Sequence, residues 1–161
     1  MNIQIYTDGG CSGNPGPGGW AYLILEETVP SAANGYAAVR PRIAAEKQGA
    51  EADTTNNRME LQAVIAALEA LDGLALTPKK VQIFTDSQYV QKGMNEWIHR
   101  WKQKGWRTSS REPVKNRDLW QRLDKLAASF PIQWMWIKGH AGNEYNERCD
   151  RMTQDAIASL R

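Results

Sequence analysis

Two segments of the chain resemble each other, and each contains an aspartate near its end. IQIYTDG covers residues 3–9 and VQIFTDS covers residues 81–87. Both are rich in β-branched and aromatic residues with period-two alternation, which predicts a strand that stops at the following Gly or Ser. If the strands are parallel neighbours, their common phase places Asp8 and Asp86 on one face of a sheet. The chain is therefore predicted to form an α/β sheet with two carboxylates at strand C-termini, where open α/β sheets place their sites.

The rest of the chain is predicted to form three further strands and several helices. A second strand is predicted over residues 18–25, and a weaker third strand over residues 43–51 returns antiparallel to it. Because no helix separates the first three strands, we expect consecutive strands to pair as an antiparallel meander, which needs only short connections. Helical patterns then cover residues 58–73, directly after a run of capping residues at positions 54–57, and residues 87–101, 116–129 and 145–160, and a last strand covers residues 132–138.

Length and composition limit the class of protein. A chain of 161 residues, 42% of them hydrophobic, fits one domain over residues 1–161 that needs no disulfides. It has no apolar run of about 18 residues and no secretory leader at Met1, so we expect a cytoplasmic monomer. The two cysteines, Cys11 and Cys149, and the two histidines lack the paired spacing of a zinc site.

Positive charge is concentrated in one segment of the chain. Residues 92–122 contain nine basic and three acidic residues, although the whole chain has a net charge of only +2. Such a lopsided segment indicates contact with a polyanion, and nucleic acid is the natural candidate. Tryptophans alternate with the basic residues, and the helical spacing of Trp97 and Trp101 favours packing over base stacking.

Four acidic residues occupy positions that suggest a metal site. Asp8 and Asp86 end strands, whereas Glu60 and Asp150 border the apolar faces of helices. Singly, each has an ordinary explanation, since an aspartate after a strand is often a turn residue and Asn57 with Glu60 has capping-box spacing. Together, four converging carboxylates would repel one another without a divalent cation among them. Oxygen ligands alone select a hard ion such as Mg²⁺ or Mn²⁺, and pairs of such ions stabilise phosphoryl transfer.

His140 lies in a loop flanked by glycines at positions 139 and 142. An accessible histidine there suits proton transfer near neutral pH, and a surface histidine without a role is the alternative. Other phosphate-handling and hydrolase motifs are missing, because the sequence contains no G-x-x-x-x-G-K-[ST], G-x-G-x-x-G, H-E-x-x-H or G-x-S-x-G.

Six longer motifs follow one another along the chain, namely TDGGCSGNPGPGGWA, TTNNRMELQAVIAALEAL, TDSQYV, WIHRWKQKGW, KNRDLWQRL and KGHAGNEYNERCDRM. This ordered set resembles bacterial ribonuclease H of type 1. The resemblance covers nearly the whole chain. It implies a five-stranded mixed sheet, an antiparallel meander followed by parallel strands, flanked by helices and carrying a basic helical handle over about residues 92–122. It also implies an endonuclease that hydrolyses the RNA strand of an RNA–DNA hybrid with Mg²⁺, or Mn²⁺ as a substitute.

The resemblance also assigns residues. By the family pattern, two metal ions are held by Asp8, Glu60, Asp86 and Asp150, while His140 assists proton transfer or product departure. The family positions that contact the minor groove of the hybrid correspond to Asn14, Asn56 and Gln88, and Asn57 is a further candidate for this contact. Thr55 matches a pocket that binds a phosphate of the DNA strand. Handle residues expected to contact the DNA strand are Trp101, Lys102, Lys104 and Trp106.

The mechanism that follows is a hypothesis. One ion activates a water for in-line attack on the RNA phosphate and the other stabilises the departing 3′-oxygen, giving 5′-phosphate and 3′-hydroxyl ends independently of sequence. The alternative is a non-catalytic hybrid-binding module of the same fold. The chain departs from the family over residues 26–53, where it is longer and rich in Ala and Pro, and a surface excursion is predicted there.

Overall fold

The computed structural model describes residues 1–27, 41–139 and 142–160. Its strands are β1 (Asn2–Cys11), β2 (Gly16–Glu27), β3 (Arg42–Thr54), β4 (Lys80–Thr85) and β5 (Ile132–Trp136). Its helices are α1 (Asn56–Gly73), α2 (Gln88–Lys92), α3 (Ile98–Gln103), α4 (Arg117–Ala127) and α5 (Glu144–Ala158), with a π-helical segment, Gly93–Trp97, between α2 and α3.

The five strands form one mixed sheet in the order β3-β2-β1-β4-β5. The first three strands are an antiparallel meander, as predicted, and β4 lies parallel to β1 on one side and to β5 on the other. Ile5 pairs with Ile83 and Tyr6 with Phe84, so the two resembling segments lie side by side in the same register. Asp8 and Asp86 therefore occupy equivalent positions at one end of the sheet, which confirms the predicted arrangement.

Apolar residues cover both faces of the sheet. The larger core includes Ile3 and Ile5 of β1, and α1 buries against it an apolar stripe, which consists of Leu61, Val64, Leu68 and Leu71. Full burial of each leucine stabilises the fold by roughly 1.5–3 kcal/mol. On the other face α5 packs Cys149 near Tyr6, whose ring stacks on that of Phe84.

Helix α1 begins where the run of polar residues predicts. The Thr55 hydroxyl oxygen accepts a hydrogen bond from the Arg58 backbone N–H at 3.3 Å, which satisfies one of the free donors at the helix start. Glu60 consequently lies in the first turns of α1, at the end of the sheet that carries Asp8 and Asp86. The sequence placed Glu60 at the margin of the apolar stripe, and its side chain is indeed buried.

The basic segment, residues 92–122 and hereafter the handle, is anchored by aromatic packing. Trp120 is fully buried, and a Cβ at Gly93 would lie 2.0 Å from its ring, so only glycine fits there. Trp101 contacts Trp97 with ring centroids 6.0 Å apart and Trp120 with centroids 5.3 Å apart. The prediction that Trp97 and Trp101 are packing residues is confirmed.

The strands of the meander are longer than predicted. β2 continues to Glu27 and β3 starts at Arg42, because the polar residues at their ends pair across the ladder, and Arg42 forms an ion pair with Glu26 at 2.7 Å. The surface excursion was predicted within residues 26–53, of which residues 28–40 lie outside the described residues. Within the described ranges, no helix has the length and apolar character needed to cross a membrane.

Candidate active site

Three carboxylates converge at the C-terminal end of the parallel strands. Asp8 lies on β1, Asp86 follows β4 directly, and Glu60 reaches them from α1. Each contributes an oxygen that lies within 4.8 Å of the oxygens of the other two. Asp8 and Glu60 are only 6% and 5% exposed, so their charges are largely removed from water.

Gly9 explains how Asp8 and Glu60 come so close. A Cβ on Gly9 would lie 2.4 Å from the Met59 carbonyl carbon and 2.5 Å from the Glu60 nitrogen. Those atoms belong to the backbone and cannot rotate away, so the position requires glycine. The backbones of β1 and α1 are therefore in direct contact beside the two carboxylates.

The surroundings of Glu60 disfavour the ionised form of its carboxyl group. Burial is the largest cause that raises the pKa of Glu60 well above its usual value, and the charges of Asp8 and Asp86 raise it further. A hydrogen bond with the Gly9 backbone acts in the opposite direction. One Glu60 oxygen, Oε2, is buried without a hydrogen-bond partner.

These features fit a divalent metal ion. Three close carboxylates supply only oxygen donors, which suit a hard cation. Glu60 Oε2 is buried without a hydrogen-bond partner, as expected of an oxygen that serves as a metal ligand. Among the described residues, those that line the surrounding cleft include no lysine or arginine. A metal ion held by Asp8, Glu60 and Asp86 would relieve their repulsion.

The carboxylates lie in an open cleft of about 450 Å³ that also contains predicted substrate-binding residues. Asn56, Asn57 and Gln88 all line it. Ser87 and Tyr89 line it too, and sequence reasoning did not select them. Their position directly after the Asp86 strand was the available signal, because α2 starts at that strand end and its first turn faces the cleft.

Asn14 and Thr55 lie around the start of α1, next to this cleft. The Asn14 side-chain oxygen accepts a hydrogen bond from the Asn56 backbone N–H at 3.1 Å, which ties the loop after β1 to the helix. Thr55 caps α1 through its hydroxyl oxygen, and its hydroxyl hydrogen can still be donated. Both residues therefore adjoin the cleft residues Asn56 and Asn57.

Asp150 and His140 were also predicted as site residues. Asp150, on α5, is partly exposed and does not belong to the group of three carboxylates described above. Its neighbour Cys149 donates a hydrogen bond from its thiol to the Tyr6 carbonyl at 3.5 Å, two residues before Asp8. His140 lies outside the described residues. A Cβ at Gly139 would be 3.0 Å from Asp86 Oδ2, so Gly139 itself adjoins the site.

The predicted handle residues are separate from the carboxylates. Trp101 and Trp106 are partly buried and pack against the main core. Lys102 is about half exposed and pairs with Asp124 at 3.3 Å, while Lys104 is exposed. A pocket of about 230 Å³ lies next to them, and its lining includes the basic side chains of Arg100, Lys104 and Arg107.

Comparison with known proteins gives consistent matches over almost the entire chain. The family model for RNase H matches residues 1–158. The ribonuclease H of Treponema denticola is 49% identical, over 99% of this chain and 99% of its own length. The crystal structure of LC9-RNase H1, a type 1 RNase H with the type 2 active-site motif, matches with a TM-score of 0.82 at 32% identity, covering 99% of this chain and 74% of that chain. LC11-RNase H1, crystallised in complex with an RNA/DNA hybrid, shares the fold at a TM-score of 0.69 and 23% identity, covering 98% of each chain.

The sheet order and the acidic cleft define a hydrolytic nuclease with the ribonuclease H fold. Family membership is shown by the match of the family model over residues 1–158 and by the 49% identity to a relative that is covered over 99% of its length. The chain belongs to the ribonuclease H family.

Proposed function

We propose that this protein cleaves the RNA strand of RNA–DNA hybrids internally and independently of sequence, leaving 5′-phosphate and 3′-hydroxyl ends. We further propose that its cofactor is Mg²⁺, with Mn²⁺ as a substitute, and that two ions are held with substrate bound. The observation that carries the proposal is the group of three carboxylate oxygens within 4.8 Å of one another, in a cleft that also contains Asn56, Asn57 and Gln88. A cytoplasmic location and a monomeric state stay predictions.

The proposed roles of the acidic residues follow from their positions. Asp8, Glu60 and Asp86 would hold the cations, and Asp150 on α5, which lies outside that group of three, is proposed as a further ligand. When bound, divalent cations supply an activated water and neutralise the charge that develops on the phosphate and the leaving oxygen. Asp8 and Glu60 are buried and the backbones that carry them are in contact at Gly9, which supports a site whose ligands are arranged before substrate binds.

Short polar side chains in the cleft would distinguish RNA from DNA. Asn56, Asn57 and Gln88 are exposed on the cleft surface and can donate and accept hydrogen bonds. The 2′-hydroxyls of a hybrid are displayed in its wide, shallow minor groove, where side chains of this length can reach them. LC11-RNase H1, which shares this fold, was crystallised with an RNA/DNA hybrid, and that supports the same substrate here.

The test is a cleavage assay with matched substrates. The purified protein is incubated with an RNA–DNA hybrid labelled on either strand, with duplex RNA and with duplex DNA, in Mg²⁺ and in chelator. We expect internal cutting of the RNA strand of the hybrid only, and only with the metal. Binding of the hybrid without any cutting would identify a non-catalytic hybrid-binding module instead.

The handle is the proposed binding surface for the DNA strand. Lys102 and Lys104 are exposed on it, and Trp101 and Trp106 hold this surface against the core while keeping part of each ring accessible. Lysines that bind phosphates release counterions, which makes binding weaken as salt increases.

Reversing two charges on the handle therefore has a specific expected effect. The double variant Lys102→Glu/Lys104→Glu should weaken hybrid binding and reduce the slope of log K against log salt by about one for each phosphate that a lysine no longer neutralises. Fluorescence anisotropy over a salt series measures both quantities. The matched control is Lys79→Glu/Lys80→Glu, at the opposite end of the sheet, because β4 begins at Lys80 and ends beside Asp86. An unchanged slope in the handle variant would show that this face is only solvated.

A further inference from the structure

The backbone carbonyl of Asp86 has a side-chain partner on the neighbouring strand. The indole Nε1–H of Trp136 donates a hydrogen bond to this oxygen at 3.0 Å. Trp136 is the last residue of β5 and pairs in register with Thr85. The next backbone bond joins the Ile137 N–H to the Thr85 carbonyl at 2.9 Å. The indole therefore supplies one more donor just beyond the end of the β4–β5 ladder.

The residues on both sides of Asp86 are held as well. The Ser87 N–H donates to the Thr85 hydroxyl oxygen at 3.0 Å. The Ser87 hydroxyl oxygen in turn accepts from the Val90 N–H at 3.2 Å and caps α2. With the indole bond, the peptide groups before and after Asp86 are both fixed. Fixing these peptides sets the direction of the Asp86 Cα–Cβ bond, and so limits the positions that its carboxylate can reach.

Burial does not account for Trp136. Its side chain is 43% exposed, more than any other large apolar residue in the described part of the chain. Trp134, two residues earlier on the same strand, packs against the main core as expected for a tryptophan in a sheet. An exposed indole whose N–H is bonded to the backbone of a site residue indicates a role in that site.

We propose that Trp136 is a positioning residue for Asp86: its indole N–H holds the Asp86 carbonyl and thereby fixes the carboxylate in the metal-binding geometry. This inference rests on the proposed function, in which Asp86 is a metal ligand. Trp136 acts through Asp86, and its own hydrogen bond is to the backbone.

The test compares two phenylalanine substitutions on β5. Trp136→Phe removes the donor and keeps an aromatic ring. One net hydrogen bond corresponds to about a 3- to 10-fold change in rate, so we expect kcat to fall by about that factor. The KM for hybrid should stay unchanged, and the Mg²⁺ concentration for half-maximal activity should rise. The control, Trp134→Phe, should lower Tm without lowering kcat.

A second variant separates the donor from the ring. Replacing Trp136 with benzothienylalanine, which has a sulfur in place of the indole N–H, should reproduce the fall in kcat expected for Trp136→Phe. A rise in KM with unchanged kcat in Trp136→Phe would overturn the inference and indicate that the ring contacts the substrate. Wild-type kcat and metal dependence in both variants would overturn it too.

Asp86→Asn serves as the reference for the underlying function. If Asp86→Asn is inactive while both Trp136 variants behave as wild type, only the positioning role fails. If Asp86→Asn cleaves hybrid at the wild-type rate, the proposed function of the carboxylate fails. The two failures are therefore distinguishable.

Discussion

Replacing Asp8 with asparagine is expected to abolish cleavage of the hybrid, with a loss of at least about 1,000-fold, or roughly 4 kcal/mol of transition-state stabilisation. The substitution keeps the size of the side chain but removes one of the charges of the three-carboxylate group. Hybrid binding should change little, because the cleft amides and the handle are untouched. Single-turnover cleavage with excess enzyme measures the first quantity, and anisotropy with labelled hybrid in chelator measures the second.

The matched control for this substitution is Asp72→Asn. Asp72 is exposed near the end of α1, about 18 Å along the helix from Glu60 at 1.5 Å per residue. Its replacement makes the same chemical change and should leave the cleavage rate at the wild-type value. More than about one tenth of wild-type cleavage in Asp8→Asn, or equal losses in the two variants, would contradict the assigned role of Asp8.

Replacing Glu60 with glutamine is expected to inactivate the enzyme and stabilise the metal-free protein at neutral pH. Burial and the charges of Asp8 and Asp86 raise the pKa of Glu60, so its ionised form opposes folding. Glutamine has nearly the same shape without the charge. We expect a gain of about 2 kcal/mol in the free energy of unfolding, or about 4–8 °C in Tm for a chain of this size.

The stability difference should depend on pH with a defined sign. A carboxyl group whose pKa is raised in the folded state binds its proton more tightly when folded than when unfolded, so it lowers stability as pH rises above its ordinary pKa. Below the ordinary pKa of glutamate, both states are protonated and the glutamine variant should gain little. Its advantage should grow as pH rises and level off above the folded-state pKa.

Thermal unfolding in chelator over a pH series measures this dependence. Glu69→Gln is the control, because Glu69 lies on the same helix but is exposed and paired with Arg122. Added Mg²⁺ should raise the Tm of the wild type by mass action and raise that of Glu60→Gln much less. A metal-free Glu60→Gln protein no more stable than the wild type at neutral pH would contradict the account of the buried charge.

The convergence of Asp8 and Asp86 was predictable because it depends on phase and pairing. The phase is read from the alternation within IQIYTDG and VQIFTDS, and parallel pairing was the condition of the prediction, which the observed register of β1 and β4 meets. Glu60 was predictable only as a carboxylate at the edge of an apolar stripe. Its distance from Asp8 depends on how closely β1 and α1 pack, which no local pattern contains.

Two features of the sheet could not be obtained from local patterns. The expectation that β1 stops at Gly9 was wrong, since it continues to Cys11 because Gly10 and Cys11 pair with Gly19 and Gly18 of β2. Glycines have low strand propensity, but tertiary pairing outweighed it. The bond from Trp136 to the Asp86 carbonyl likewise depends on which strand lies beside β4, a choice made by the whole sheet.

The direct backbone contact at Gly9 makes the relative position of Asp8 and Glu60 less dependent on the side chains that fill the hydrophobic core. The closest approach of β1 and α1 beside Asp8 and Glu60 is limited by main-chain atoms at Gly9, whereas Leu68 lies about two turns further along α1. Core substitutions at that distance from the contact, such as Leu68→Met, are therefore expected to alter heat tolerance more than the spacing of these two acidic residues.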